Sequence, residues 1–173
     1  SGRVDYDGEA FTTHMESKRP GDRAPSVMVA ALGEQTLRVT GRRTDGTILW
    51  MVGPRTIADH IRPRITAAAA EVGRPDPRIV ASLPVCVTGD AASVREAAAR
   101  IFAIYGELPS YRAMLDREGA ATPGDVAIIG TEEEVAAGLE DLAQAGATDF
   151  VAAEFGTTSD EFAQTRRLLA SLL

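Results

Sequence analysis

Residues 45–60 read DGTILWMVGPRTIADH and set one arginine and one threonine, Arg55 and Thr56, where an apolar run hands over to a helical pattern through Gly53-Pro54. A helix start presents unpaired amide groups and the positive end of its dipole. An arginine and a hydroxyl beside it are therefore the parts of an anion site. Pro54 suits the first helical position, where an amide hydrogen has no intrahelical partner anyway. A plainer reading, a Gly-Pro helix start beside a solvated arginine, stays open on these residues alone.

Other side chains carry weaker chemical signals. His14 and His60 have no second ligand at metal spacing and read as structural or solvated. Glu154 closes an apolar stretch, where it could polarise a substrate or, the favoured reading, pair with an arginine. Glu132, Glu133 and Glu134 fall in a helix first turn, where the dipole stabilises negative charge. Trp50 and Cys86 sit in apolar runs and read as core. No G-x-S-x-G elbow, Walker loop or H-E-x-x-H helix is present. Nothing supports hydrolysis by an activated nucleophile or a metal site.

Positioning these groups falls to alternating apolar elements. VDYDGEAF (4–11) alternates around Asp7-Gly8, a two-residue hairpin signal, and residues 14–25 read as a loop. SVMVAAL (26–32) and TILWMV (47–52) are continuous apolar runs, which predict strands buried on both faces. Between them lies a short helix that Gly41 is expected to stop. Ile57, Ile61 and Ile65 stripe one face of a helix from Arg55 to about Val72, with Pro63 expected to perturb it. A third strand runs from about Arg78 to Thr88. A helix follows over 90–105, with Ala91, Val94, Ala98, Ile101 and Tyr105 inward, then a shorter one over 110–120. GDVAIIG (124–130) is apolar but short. Thr131 and Glu134 form a capping box for the next helix; the fourth strand is 148–156 and the last helix 159–172. Strands alternating with helices predict an α/β fold with a parallel sheet. Four modules cannot close an eight-stranded barrel of ~250 residues. The G-x-G-x-x-G phosphate fingerprint is missing too, so half a barrel and a small open sheet both remain.

Composition narrows the classes. The 173 residues carry a net charge of −7, with 45 % hydrophobic and 25 % charged residues, suiting one globular domain rather than a general nucleic-acid binder. One cysteine excludes a disulfide framework. No run approaches the ~18 apolar residues of a membrane span, and no signal peptide is apparent, which predicts a cytoplasmic protein. The chain starts at Ser1, consistent with a piece of something longer.

Three segments, GRVDYDGEAFTTH, VMVAALGEQTLRVTGRRTDGTILWMVGPRTIADHIRP and GATDFVAAEFG, resemble the C-terminal half of the bacterial-luciferase-like flavin and deazaflavin monooxygenases, most closely the branch dependent on coenzyme F420. The middle segment is the most specific: a strand ending Ala-Leu-Gly, a helix closed by Gly, Asp-Gly opening the next strand, and a Gly-Pro turn beyond it. The resemblance implies one domain over 1–173, with 1–25 as hairpin and loop and 26–173 as the modules of strands five to eight of a (β/α)8 barrel. It further implies a phosphate grip at the barrel mouth by Ala31, Leu32 and Gly33 after strand five and by Gly53, Pro54, Arg55 and Thr56 after strand six, with the amides of Arg55, Thr56 and Ile57 free to point there. Glu34-Gln35 stand where relatives often carry Pro-Arg, which leaves a carboxylate beside the first turn. The cofactor implied is F420, alternatively FMN, moving hydride to or from a small organic substrate. The assisting acid–base residues belong to the other half of such barrels, so no catalytic residue is named. Open parallel edges predict pairing with the missing first half or with a second copy. A different class of function, a catalytically silent half-barrel acting as an assembly module, fits the same residues.

Overall fold

A computed structural model describes residues 2–17 and 25–173. An antiparallel hairpin, β1 (Gly2–Asp7) and β2 (Thr12–Ser17), comes first. Asp7 pairs with Thr12 and the Gly8 amide donates to the Phe11 carbonyl at 3.1 Å, so four residues separate the strands and the chain reverses at Glu9-Ala10 rather than at Asp7-Gly8. The tilted packing of Tyr6 on Phe11, ring centres 5.0 Å apart, accompanies the wider loop. The loop expected over 14–25 is strand as far as Ser17, and residues 18–24 lie outside the described residues.

The main body alternates β3 (Met28–Val29), α1 (Glu34–Arg43), β4 (Gly46–Trp50), α2 (Pro54–Thr56), a π-turn (Ile57–Ile61), α3 (Arg62–Ala70), β5 (Arg78–Val87), α4 (Ala91–Ile101), α5 (Ala103–Glu107), α6 (Pro109–Glu118), a 3₁₀ turn (Pro123–Val126), β6 (Ile128–Gly130), α7 (Glu132–Ala145), β7 (Asp149–Glu154) and α8 (Ser159–Ser171). All pairings in this sheet are parallel. β4 lies between β3 and β5, and β7 pairs with residues 80–85 of β5. β6 joins only Val85–Val87, beyond the stretch of β5 that β4 covers. This short additional strand falls in GDVAIIG, where Ile128 and Ile129 are too few to show a period.

The main core lies on one face of the sheet, and a smaller cluster of Cys86, Val94, Ala98, Ala127 and Ile129 lies on the other. Leu49, Ala81, Leu83 and Val85 are fully buried with Leu37, Ile57, Ile61 and Ile65 from the helices, each large side chain contributing roughly 1.5–3 kcal/mol. On the other face Ile48 and Val151 are 45 % and 53 % exposed. Side chains alternate along a strand, so the burial of Leu49 beside the exposure of Ile48 marks β4 as covered on one side only, while the central strand β5 is buried on both. The expectation of strands buried on both faces is thus corrected for β3 and β4: among the described residues nothing covers Ile48, whereas further along the same face of β5 Val80 and Cys86 are buried. β3 shrinks to two residues for a related reason, since it is an edge with one neighbour, and Val27 and Val29 are exposed.

The helices follow their apolar stripes with local departures. Gly41 does not end α1, which runs on to Arg43. It is buried, and a Cβ there would strike the Ile65 carbonyl, so its role is the close crossing of α1 over α3. Ile57, Ile61 and Ile65 face inward as expected. Pro63 lacks the amide that an α-helix would send to the Asp59 carbonyl. There the helix widens into a π-turn, closed by the Arg62 amide on the Ile57 carbonyl. The helix over 90–105 breaks at Phe102. Ile101 turns out, 61 % exposed, while Phe102 packs inward against Trp50 and Phe155.

Candidate functional site

Two strand-to-helix turns stand side by side at the C-terminal ends of β3 and β4. In the first, Ala31 is buried, Leu32 is half-buried, and Gly33 is the extended N-cap of α1 (φ −82°, ψ 157°) with no side chain capping the helix. The Leu37 amide makes the first helical bond, 2.9 Å to the Gly33 carbonyl. The amides of Glu34, Gln35 and Thr36 bond to nothing among the described residues. The Thr36 hydroxyl donates to the Gly33 carbonyl at 2.8 Å.

This turn opens on a cavity of about 370 Å³ lined by Ala30, Leu32, Gly33, Thr36, Ile48, Trp50, Ser110 and Tyr111. Its aromatic wall is built by edge-on packing: Trp50 on Phe102 (5.7 Å) and on Tyr105 (6.0 Å), and Tyr105 on Tyr111 (4.9 Å). The Trp50 indole N–H is buried without a partner among the described residues, and burial pushes the Tyr111 hydroxyl above its usual range. Trp50 therefore serves both the core and the cavity.

The second turn is closed. Met51, fully buried, takes a positive φ of 55° and redirects the chain out of β4, a conformation that strains a residue with a side chain. Gly53 and Thr56 are buried and Pro54 occupies the first helical turn. The Glu118 carboxylate, from the end of α6, accepts both the Arg55 amide (3.1 Å) and the Thr56 amide (2.7 Å). A Cβ on Gly53 would run into that carboxylate. The Ile57 amide donates to the Gly53 carbonyl at 3.1 Å, and the Thr56 hydroxyl to the Met114 carbonyl at 3.2 Å. The three amides expected to be free are therefore all paired. What remains open here is the Arg55 guanidinium, 66 % exposed and 3.9 Å from Asp59. It borders a smaller cavity of about 280 Å³ with Thr56, Asp59, His60, Asp116 and Arg117.

A family model described as luciferase-like monooxygenase matches residues 1–149. The chain belongs to the luciferase-like monooxygenase family. Its fold is that of solved structures in this group. One is an F420-dependent secondary alcohol dehydrogenase in complex with an F420-acetone adduct (16 % identity, TM-score 0.70, 99 % of this chain and 56 % of that one). Another is the coenzyme F420-dependent tetrahydromethanopterin reductase of Methanopyrus kandleri (17 %, 0.69, 96 % and 56 %). A third is the oxygenating constituent of 3,6-diketocamphane monooxygenase from Pseudomonas putida in complex with FMN (12 %, 0.66, 97 % and 56 %). The chain spans little more than half the length of these structures. No curated protein matches it.

Elsewhere in this luciferase-like chain the weaker candidates have structural partners. Glu154 is clamped by Arg166 (2.7–2.9 Å), whose hydrogen bonds hold its carboxyl below the usual range. Glu134 and Thr131 form the expected capping box. Cys86 is buried, and that burial, reinforced by Glu161, pushes its thiol up to about 11. His14 pairs with Asp5 and Asp7 on the exposed hairpin. Among the described residues no group of His, Cys, Asp and Glu could hold a metal ion, and no helix is long and apolar enough to cross a membrane. Glu118 was missed from sequence. It lies more than sixty residues from its partners, and its only local signal is Gly119, which ends α6 in a left-handed turn (φ 81°).

Proposed function

We propose that this chain supplies the phosphate-gripping half of a cofactor site in an oxidoreductase, with F420 as the cofactor and FMN as the alternative. It takes β3, β4, β5 and β7 as strands five to eight of a barrel, within a single domain over 1–173. The observation that carries the reading is the uncapped start of α1 at the mouth cavity. Three unpaired amides and a helix dipole face solvent beside an aromatic wall and an unpartnered indole N–H. Ala31, Leu32 and Gly33 shape that cradle. Gly53, Pro54, Arg55 and Thr56 are the second part of the proposed grip, where the guanidinium of Arg55, which borders the neighbouring cavity, and not the turn's amides is free to meet an anion. When bound, such a cofactor supplies hydride transfer to or from a small organic substrate. The residues of this chain hold and orient it, and on its own the chain does not turn over.

The open face supports the partner in this reading. Ile48 and Val151 lie exposed on one face of the sheet, and β3 and β7 each have one neighbour among the described residues. Such edges and apolar surface are covered in a stable assembly, either by the first half of the barrel or by a second copy. These same features are what a catalytically silent assembly module would show.

Titrating the intact protein with F420 and with FMN, followed by fluorescence, separates the two. Saturable binding of either, weakened about fivefold by Arg55→Ala, supports the cofactor site. No binding of either removes it and leaves the assembly module. Light scattering after size exclusion tests the partner: a mass of 18.3 kDa for the isolated chain would rule out self-pairing.

A further inference from the structure

His60 is 2 % exposed and lies on the π-turn that follows the second turn. Its Nε2 is 2.8 Å from the carbonyl of Leu32, in the first turn. A carbonyl only accepts, so Nε2 carries the proton and the neutral ring leaves Nδ1 bare; Nδ1 is buried with no partner among the described residues. An unpaired buried ring nitrogen is a standing cost that an apolar side chain of similar size would avoid. The hydrogen bond to Leu32 is what the imidazole adds.

The backbone is arranged to deliver it. The extra residue in the turn before Pro63 places His60 on the buried face between Ile57 and Ile61. Arg64 then covers the carbonyls this leaves, with Nη1 donating to His60 (3.1 Å) and Asp59 (3.4 Å). Its other nitrogens reach Glu34, the first residue of α1. Two side chains from one helix thus tie down both sides of Gly33.

We propose that His60 is a positioning residue: by donating to the Leu32 carbonyl it fixes the Leu32–Gly33 turn so that the first amides of α1 face the mouth cavity. The importance of this for function rests on the cofactor reading above; the geometric claim does not.

The test uses the whole 173-residue chain in three nitrogen-resolved measurements. In the unaltered protein, ring-nitrogen spectra must show the tautomer protonated at Nε2; protonation at Nδ1 overturns the proposal whether or not any variant folds. In His60→Phe, the Leu37 amide, bonded to Gly33, must exchange about tenfold faster relative to the amides of the β5 ladder. His60→Gln, whose amide reaches the place of Nε2, must restore most of that protection. An even rise across β5, or no rise at all, overturns it. Inorganic phosphate is then titrated against the Glu34, Gln35 and Thr36 amides: His60→Phe weakens binding about fivefold and His60→Gln recovers it. If the unaltered chain binds no phosphate there, the cradle reading fails while the tautomer and exchange results still judge His60.

Discussion

The turns after β3 and β4 start from similar sequence and end in opposite states. Each ends a parallel strand with a glycine N-cap in extended conformation, and each begins a helix without a capping side chain of its own. At the first, three amides are unpaired among the described residues and a cavity lies in front of them. At the second, the amides are bound by a carboxylate that arrives from α6. A Gly-Pro-Arg-Thr turn advertises an anion site, and the protein fills that site with its own Glu118. The Ala-Leu-Gly turn has no cation in sequence after it, yet its amides are the ones left bare. Helix-start chemistry thus says where an anion can be held, whereas the tertiary partner decides whether the place is vacant.

Removing that partner is the strongest way to break the contrast. Glu118→Ala leaves one exposed and one part-buried amide without a charged acceptor and is expected to destabilise the chain by about 1–2 kcal/mol, read from urea unfolding. It should also give the second turn what only the first now has, so that inorganic phosphate shifts the Arg55 and Thr56 amides. Stability unchanged within ~0.5 kcal/mol would mean that water serves those amides equally well, and the two turns would not differ.

This contrast also separates what was legible in sequence from what was not. Continuous apolar runs located the strands, the Ile57–Ile61–Ile65 stripe oriented its helix, and Thr131 with Glu134 marked the start of α7. Each of these depends on neighbours within about one helical turn or one strand. The misses depend on distant residues. Gly41 looks like a helix stop until Ile65 is seen against it. Ile48 looks like core until its end of the sheet face is found uncovered, at 45 % exposure. Glu118 and the Leu32 contact of His60 join residues 62 and 28 positions apart. The amides expected to be free at Arg55 and Thr56 failed for that reason.

A smaller effect distinguishes the ties that hold the first turn from those that hold the far end of the sheet. Burial is the main reason that His60 resists protonation, helped by Arg117 and Arg64 and opposed by the Leu32 hydrogen bond and Glu34; Arg55, Asp59 and Asp116 line the cavity beside it. The unfolded chain then takes up the proton more readily than the folded one. Stability is therefore whole above the ordinary imidazole value of 6.5 and declines as pH falls below it. Glu161 behaves separately. Burial alone would raise its pKa, but hydrogen bonds from Thr88, Thr157 and the Thr158 amide bring it down to about 2. Its contribution is present above 4.5 and lost as pH falls through about 2. Urea midpoints against pH should fall in two stages, and His60→Gln should remove the upper one only. Loss of both stages would show that the first turn and the β5–α8 contact unfold as one unit.

The gentlest probe is Glu34, the carboxylate that stands beside the open amides. It is 71 % exposed and pairs with Arg64 at 3.2 Å, so Glu34→Gln should change stability by less than about 1 kcal/mol. Its effect on binding should be clearer, because the substitution removes a like charge next to the cradle and releases Arg64 from its partner. Inorganic phosphate should bind the first turn about two- to fivefold more tightly at low salt. The gain should shrink toward nothing near 1 M salt, where the screening length is ~3 Å. A gain that survives high salt would come from freed hydrogen-bond donors rather than from charge. No gain at either salt would place the anion away from Gly33, and the open amides of α1 would then be an ordinary solvated helix end, leaving the Arg55 guanidinium as the sole grip at the mouth.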